Sequence, residues 1–104
     1  MSAADNYSDE KIEAMKTSIW PGERNSAPYL AELDTPERRL RAVREAHTLT
    51  NLIGMIHSQA VYHAVSSLKK NIAEGNEDKP LYGEETARKY REAAEERKAM
   101  GFNY

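Results

Sequence analysis

The sequence contains no cysteine, which excludes both disulfide bridges and thiolate metal sites. Large aromatic side chains are scarce, because Trp20 is the only tryptophan and Phe102 the only phenylalanine. A chain of 104 residues forms one domain, and with so few large apolar side chains it can build only a modest core. These absences favour a small domain that is completed by a partner chain.

The chain also lacks an excess of basic charge and an apolar leader. It has 15 Lys and Arg against 17 Asp and Glu, a formal net charge of −2. General nucleic-acid binding needs a basic face for phosphate, so that class is disfavoured. Residues 1–6 contain neither the basic nor the apolar part of a signal peptide. We therefore expect a cytoplasmic protein that does not bind membranes.

Charge is absent from one internal segment. No Asp, Glu, Lys or Arg occurs in the 21 residues from Thr48 to Leu68, although 31% of the chain is charged. Ten of these residues are Thr, Asn, His, Ser, Gln or Tyr, and a membrane-spanning helix would be far more apolar. Because an unpaired buried ion costs several kcal/mol, the segment is expected to be removed from water, either within one molecule or between molecules.

Capping residues and prolines divide the chain into predicted helices. Ser8, followed by two acidic residues, predicts a first helix over 8–20 that ends at Pro21. A turn over 21–26 and a short helix over 27–33 follow. Thr35 and Pro36 predict the start of a central helix over 36–74. After a polar connection, a densely charged helix is expected over 84–100.

The central helix would be ~58 Å long if continuous, which exceeds the size of a compact domain of this length. Its apolar face also changes direction twice along the sequence, which disfavours a simple coiled coil. Thr, Asn and Gly cluster near the first change of direction. We therefore expect a kink or break near 46–54. The predicted fold class is all-α, with three to four helices, one of them long and kinked, completed by oligomerisation.

Two apolar quartets and an uncharged stripe between residues 48 and 72 form the predicted interface between chains. Small residues among them allow a second helix to approach closely, and polar ones can bond across two chains. The predicted interface residues are Leu49, Ile53, Met55, Ile56, Gln59, Ala60, Val61, Tyr62, Ala64, Val65, Leu68 and Ile72.

A second hypothesis is a site for an anionic, nucleotide-like ligand formed by Arg38, Arg41, Arg44, Tyr62 and His63. The arginines alternate with glutamates on the helical wheel, a pattern typical of a solvent-exposed surface with salt bridges. The sequence therefore favours the interface between chains over the ligand site.

Chemistry-bearing residues have no diagnostic spacing. His47, His57 and His63 are ten and six residues apart, so no two of them form an i,i+4 metal pair. No Ser, His and acid spacing specifies a catalytic triad. The sequence therefore predicts no metal, no cofactor and no enzymatic activity.

The function predicted from sequence is protein–protein interaction. The chain would be an assembly subunit, adaptor or inhibitor that binds itself through residues 48–72 and also binds another protein. Its small size, acidic character and lack of cysteine are also typical of a phage or mobile-element protein. The alternatives are an oligomeric module for a small anionic ligand, and an accessory subunit of a large complex.

Overall fold

The computed structural model describes residues 6–81 and 84–101, and it is all-α over these ranges. Five helices follow one another: α1 (Asp9–Lys16), α2 (Pro21–Leu30), α3 (Pro36–Ile53), α4 (His57–Ala73) and α5 (Glu84–Ala99). The long α3 and α4 pack against each other; α2 packs on α4, α1 on α2, and α5 on α3. No helix in the described ranges is long and apolar enough to cross a bilayer.

Local sequence signals start α1 and α3. The hydroxyl of Ser8 accepts a hydrogen bond from the Lys11 amide at 3.3 Å, and Thr35 does the same for Arg38 at 3.2 Å. Each bond satisfies one of the donors that the first turn of a helix leaves without a partner. Pro36 follows Thr35 at the first helical position, where its missing N–H costs nothing.

The second helix begins earlier than the sequence predicts. Pro21 ends the predicted first helix, but in the structure it is the first residue of α2, and α1 already ends at Lys16. The predicted turn over 21–26 is therefore helical. A proline breaks a helix when helical turns precede it, because it lacks the N–H that would bond them. At the first position of a helix no such bond is needed, and the fixed φ of proline favours the start of a helix.

The long central helix over 36–74 is not confirmed. Ile53 ends α3, and Gly54 follows in the left-handed conformation at φ 66°. After Met55 and Ile56, α4 starts at His57 and packs back along α3. The over-long helix was one argument for a partner chain, and the interruption removes it.

The core lies around α4. Its residues on the inward face are fully enclosed by side chains from α1, α2, α3 and the α2–α3 connection. Small residues at Ala42, Ala46, Ala60 and Ala64 let the helices approach closely. The buried apolar residues are Ile12, Met15, Ala27, Leu30, Leu33, Ala42, Val43, Ala46, Leu49, Ala60, Val61, Ala64, Val65 and Leu68.

Candidate functional site

Two turns at one end of the bundle expose large apolar side chains. Ile19 and Trp20, between α1 and α2, are 81% and 65% exposed, and Ile56, between α3 and α4, is 63% exposed. The two turns are neighbours, because Trp20 and His57 line the same cavity. We call Ile19, Trp20 and Ile56 the apolar end.

The turn that carries Ile19 and Trp20 is held by hydrogen bonds. The Trp20 amide donates to the Ser18 hydroxyl at 3.1 Å, and the Arg24 guanidinium donates to the Ser18 carbonyl at 2.8 Å. The Trp20 carbonyl in turn accepts from the amides of Glu23 and Arg24. The exposure of the indole is therefore a property of a folded turn and not of a frayed end.

A cavity of about 450 Å³ opens beside the apolar end, between α1, α2, α3 and the start of α4. Met15, Leu30 and Val43 give it an apolar floor. Ser26 also lines it, and the Ser26 hydroxyl is buried without a hydrogen-bond partner among the described residues. The full lining is Asn6, Tyr7, Lys11, Met15, Trp20, Gly22, Glu23, Ser26, Leu30, Val43, His47 and His57.

Titratable groups surround this cavity. The imidazole rings of His47 and His57 have centroids 5.5 Å apart, and burial, with the neighbouring His47, lowers the pKa of His57. Burial and then the charge of Glu23 raise the pKa of the Tyr7 hydroxyl, which stays neutral at ordinary pH. The Lys11 ammonium lies 4.0 Å from the Glu23 carboxylate. The wall therefore carries hydrogen-bond donors of several kinds and one carboxylate with a cation beside it.

The predicted interface residues fall into three groups. Half of them are core residues of the single chain: Leu49, Ala60, Val61, Ala64, Val65 and Leu68 are fully buried. Met55 and Ile72 are half-buried against that core. Ile56, Gln59 and Tyr62 remain exposed, whereas the side chain of Ile53 lies outside the described residues. Among the members that the structure describes, the exposed group is the one most available to another molecule.

The predicted ligand arginines are engaged within the chain. Arg38 donates two hydrogen bonds to the Glu77 carboxylate, at 2.9 and 2.8 Å, and one to Asp34 at 2.6 Å. These bonds lower the pKa of both carboxyl groups. Arg41 donates to the backbone carbonyls of Glu77 and Lys79. Their role in the structure is to fasten the connection between α4 and α5 to α3.

The other members of the predicted ligand site, Arg44, Tyr62 and His63, do not take part in these contacts of Arg38 and Arg41. Arg44 is exposed on α3. Tyr62 packs edge-on against Tyr29 of α2 at 5.1 Å, and against the adjacent His63 ring at 5.4 Å. The structure thus offers no contact that joins these rings to the arginines among the residues it describes.

Sequence reasoning missed the cavity and its most unusual polar group. Ser26 was placed in a turn, and nothing in its neighbours distinguishes a buried serine from an exposed one. The His47–His57 pair was missed because ten residues of a continuous helix would place the two side chains ~15 Å apart along the axis, and the break at Gly54 brings them together. No group of three or more His, Cys, Asp or Glu side chains among the described residues is arranged to hold a metal ion.

Comparisons with known proteins assign no family: no protein-family description matches the chain, and searches of curated proteins and solved structures found no significant match. The functional argument therefore rests on the apolar end and the cavity.

Proposed function

We propose that this chain is a small helical protein–protein interaction protein that self-associates through its apolar end. The observation that carries the proposal is the joint exposure of Ile19, Trp20 and Ile56 on two ordered turns. Scattered exposed apolar residues are ordinary, but three large ones on two neighbouring turns form a patch of the kind that marks interaction surfaces. Tryptophan is also the residue most enriched among energetically dominant interface positions.

A second copy of the chain is the partner that suits this patch best. In a two-fold symmetric contact the same surface meets itself, so an apolar patch is complementary to its own copy. The chain's net charge of −2 opposes association only weakly. The sequence predicts self-association through residues 48–72. Most apolar side chains between residues 48 and 68 are buried inside the monomer, so the contact proposed here is a different one.

Through the same surface the chain would act as an assembly subunit or adaptor. This proposed function involves no catalytic step. The alternative of an accessory subunit draws only on the charge of α5, and α5 packs against α3 in this structure. The cytoplasmic location and a phage or mobile-element origin stay predictions from the sequence.

Sedimentation velocity over a range of about 1–300 µM tests the proposal. The wild-type chain should show an average mass that rises with concentration, and the triple variant Ile19→Ser, Trp20→Ser, Ile56→Ser should sediment as a monomer throughout. The three side chains are exposed, so the variant should keep its helical circular dichroism; surface substitutions typically change stability by less than about 0.5 kcal/mol each.

A matched pair of charged variants controls for nonspecific effects. Ile56→Asp adds one negative charge at the N-cap of α4, and Ser66→Asp adds one at an exposed position within α4. The two positions are ~15 Å apart along the helix axis. Only Ile56→Asp should weaken association. A wild-type chain that stays monomeric at every concentration, or equal effects of the two variants, would show that the apolar end does not bind a second copy.

A further inference from the structure

The cavity beside the apolar end combines features that the proposed self-association does not use. Ser26 is 1% exposed and is one of the residues that line the cavity, and its hydroxyl has no hydrogen-bond partner among the described residues. Buried hydroxyls in folded proteins are almost always hydrogen-bonded, because burial without a partner is unfavourable. The Ser26 hydroxyl is therefore placed to bond a group that enters the cavity.

Two helices begin at the same cavity without side-chain caps. The N-cap residues of α2 and α4 are Trp20 and Ile56, and neither side chain bonds a first-turn amide. Gly22 and His57, in the first turns of these helices, both line the cavity. The first amides of a helix have no partner within it, and they carry the positive end of the helix dipole.

At α4 the first-turn amides precede the first bond of the helix, from the Ala60 amide to the Ile56 carbonyl. At α2, Pro21 has no N–H and the Glu23 amide already bonds the Trp20 carbonyl, so Gly22 supplies the remaining amide. These donors at one cavity favour an anionic group.

The side chains at the wall agree with that polarity. Lys11 is a cation, and the paired imidazoles of His47 and His57 can each donate one hydrogen bond when neutral. Among the described residues that line the cavity, Glu23 is the one carboxylate, and the Lys11 ammonium lies 4.0 Å from it. Tyr7, Ser26 and Lys11 can also donate, and Lys11 offsets the charge of Glu23.

The floor and the volume define the rest of the ligand. Met15, Leu30 and Val43 present apolar surface, so a bare inorganic anion would leave that surface unfilled. A cavity of about 450 Å³ is within the range of small-molecule sites. An aromatic ring would fill the floor, and a hydroxyl on the ring would reach a polar partner.

We infer that this cavity binds a small aromatic carboxylate. The carboxylate lies at the N-termini of α2 and α4 beside His47 and His57, the ring lies on the apolar floor, and a ring hydroxyl bonds Ser26. The two proposals can be tested separately: Trp20 belongs both to the apolar end and to the cavity lining, whereas Ser26 and His57 belong to the cavity alone.

Titration of the full chain with 4-hydroxybenzoate, followed by ¹H–¹⁵N NMR, tests the inference. Saturable shifts should appear at the amides of Gly22, Ser26 and His57. The neutral analogue 4-hydroxybenzyl alcohol should bind at least about tenfold more weakly, since it lacks the charge that the helix ends and imidazoles recognise. Inorganic phosphate should also bind more weakly, because it cannot use the floor.

Three variants locate the site. Ser26→Ala and His57→Gln should each weaken 4-hydroxybenzoate binding several-fold. Ser26→Ala removes a hydroxyl that has no partner in the described chain, so the protein should fold normally. Glu23→Gln should tighten binding, since it removes the one carboxylate in the lining. His63→Gln, at an exposed position of α4 outside the cavity, is the control and should leave the affinity unchanged.

The inference is overturned if 4-hydroxybenzoate produces no saturable shifts, or if Ser26→Ala and His57→Gln bind it as the wild type does. Equal affinity for the neutral alcohol would contradict the anionic recognition, and equal or tighter binding of phosphate would contradict the role of the floor. Sedimentation of the same variants separates the two proposals, because Ser26→Ala should self-associate like the wild type whether or not the ligand binds.

Discussion

At the scale of single residues, the most unusual position is that of Arg39, a charged residue buried in the core. It is only 5% exposed, and its guanidinium donates to the Leu33 carbonyl at 3.0 Å, the Tyr7 carbonyl at 2.9 Å and the Asp9 carboxylate at 2.8 Å. One side chain of α3 thereby ties down the segment before α1 and the α2–α3 connection. The rigid, forked arrangement of its donors is what makes three bonds to three different segments possible.

Arg39→Met should therefore destabilise the fold by about 2–4 kcal/mol, because it leaves two carbonyl groups without their charged donor. Arg39→Lys should recover only part of the loss, since an ammonium cannot reach all three acceptors. Urea unfolding gives the free energies. Arg44→Met, at an exposed position of the same helix, should change the value by less than about 0.5 kcal/mol. Equal midpoints for the two methionine variants would show that the Arg39 bonds do not stabilise the fold.

His57 gives the stability a pH dependence that can be assigned to one residue. Its folded-state pKa lies below the ordinary value of 6.5, through burial and then through His47. The unfolded chain thus takes up the proton first, so the contribution of neutral His57 to stability is fully present above pH 6.5 and is lost as pH falls from there through the lower folded-state pKa.

The thermal midpoint of the wild type should consequently drop more between pH 7.5 and pH 5.5 than that of His57→Gln. Glu45, whose pKa burial raises, is present in both chains and does not affect the comparison. His63→Gln should behave like the wild type. If His57→Gln and the wild type lose the same number of degrees, His57 is not the group responsible.

At the scale of elements, the decisive feature is the short interruption between α3 and α4. The Gly54 amide donates the last hydrogen bond of α3, to the Thr50 carbonyl at 2.9 Å. The left-handed conformation of Gly54 then ends the helix. It also turns the chain so that α4 folds back over α3 and α2. Two helices of 18 and 17 residues then form one compact layer in place of a rod.

Gly54→Ala should destabilise the protein by about 1–2 kcal/mol, because a Cβ is unfavourable at φ 66°. Gly22→Ala is the matched control. Gly22 lies within α2, a Cβ added there meets nothing within 4 Å, and alanine should stabilise the helix by about 0.5–1 kcal/mol. Chemical denaturation of both variants measures the difference. A neutral or stabilising Gly54→Ala would mean that the break does not depend on the left-handed glycine.

The sequence could predict helix starts better than helix ends. Ser8 and Thr35 are polar side chains that bond the first-turn amides, so the signal and the interaction are the same residue. Pro21 gives no such guidance, because proline is compatible with both the end of one helix and the start of the next. The change in apolar direction indicated a disturbance near 46–54, but α3 stays helical through Ile53, so the pattern located the region and not the residue.

At the scale of the whole molecule, the buried residues of the charge-free segment belong to the core of one chain: Leu49, Ala60, Val61, Ala64, Val65 and Leu68. The absence of charge signals removal from water, and it does so equally for burial within a molecule and for burial between molecules. Sequence alone therefore could not separate the two, and half of the predicted interface residues are enclosed by α1, α2 and α3. The surface proposed for self-association comes largely from Ile19 and Trp20, which the sequence places at the end of a first helix predicted over 8–20 and which the structure places in a turn.

Trp20 is the only tryptophan in the chain, so its fluorescence reports directly on the surface that the central proposal invokes. Self-association through the apolar end would bury an indole that is 65% exposed in the monomer. The emission maximum should move to shorter wavelength, and iodide quenching should fall, as protein concentration rises through the range in which the sedimenting mass increases. An emission maximum and a quenching constant that stay the same at every concentration would contradict self-association through Trp20.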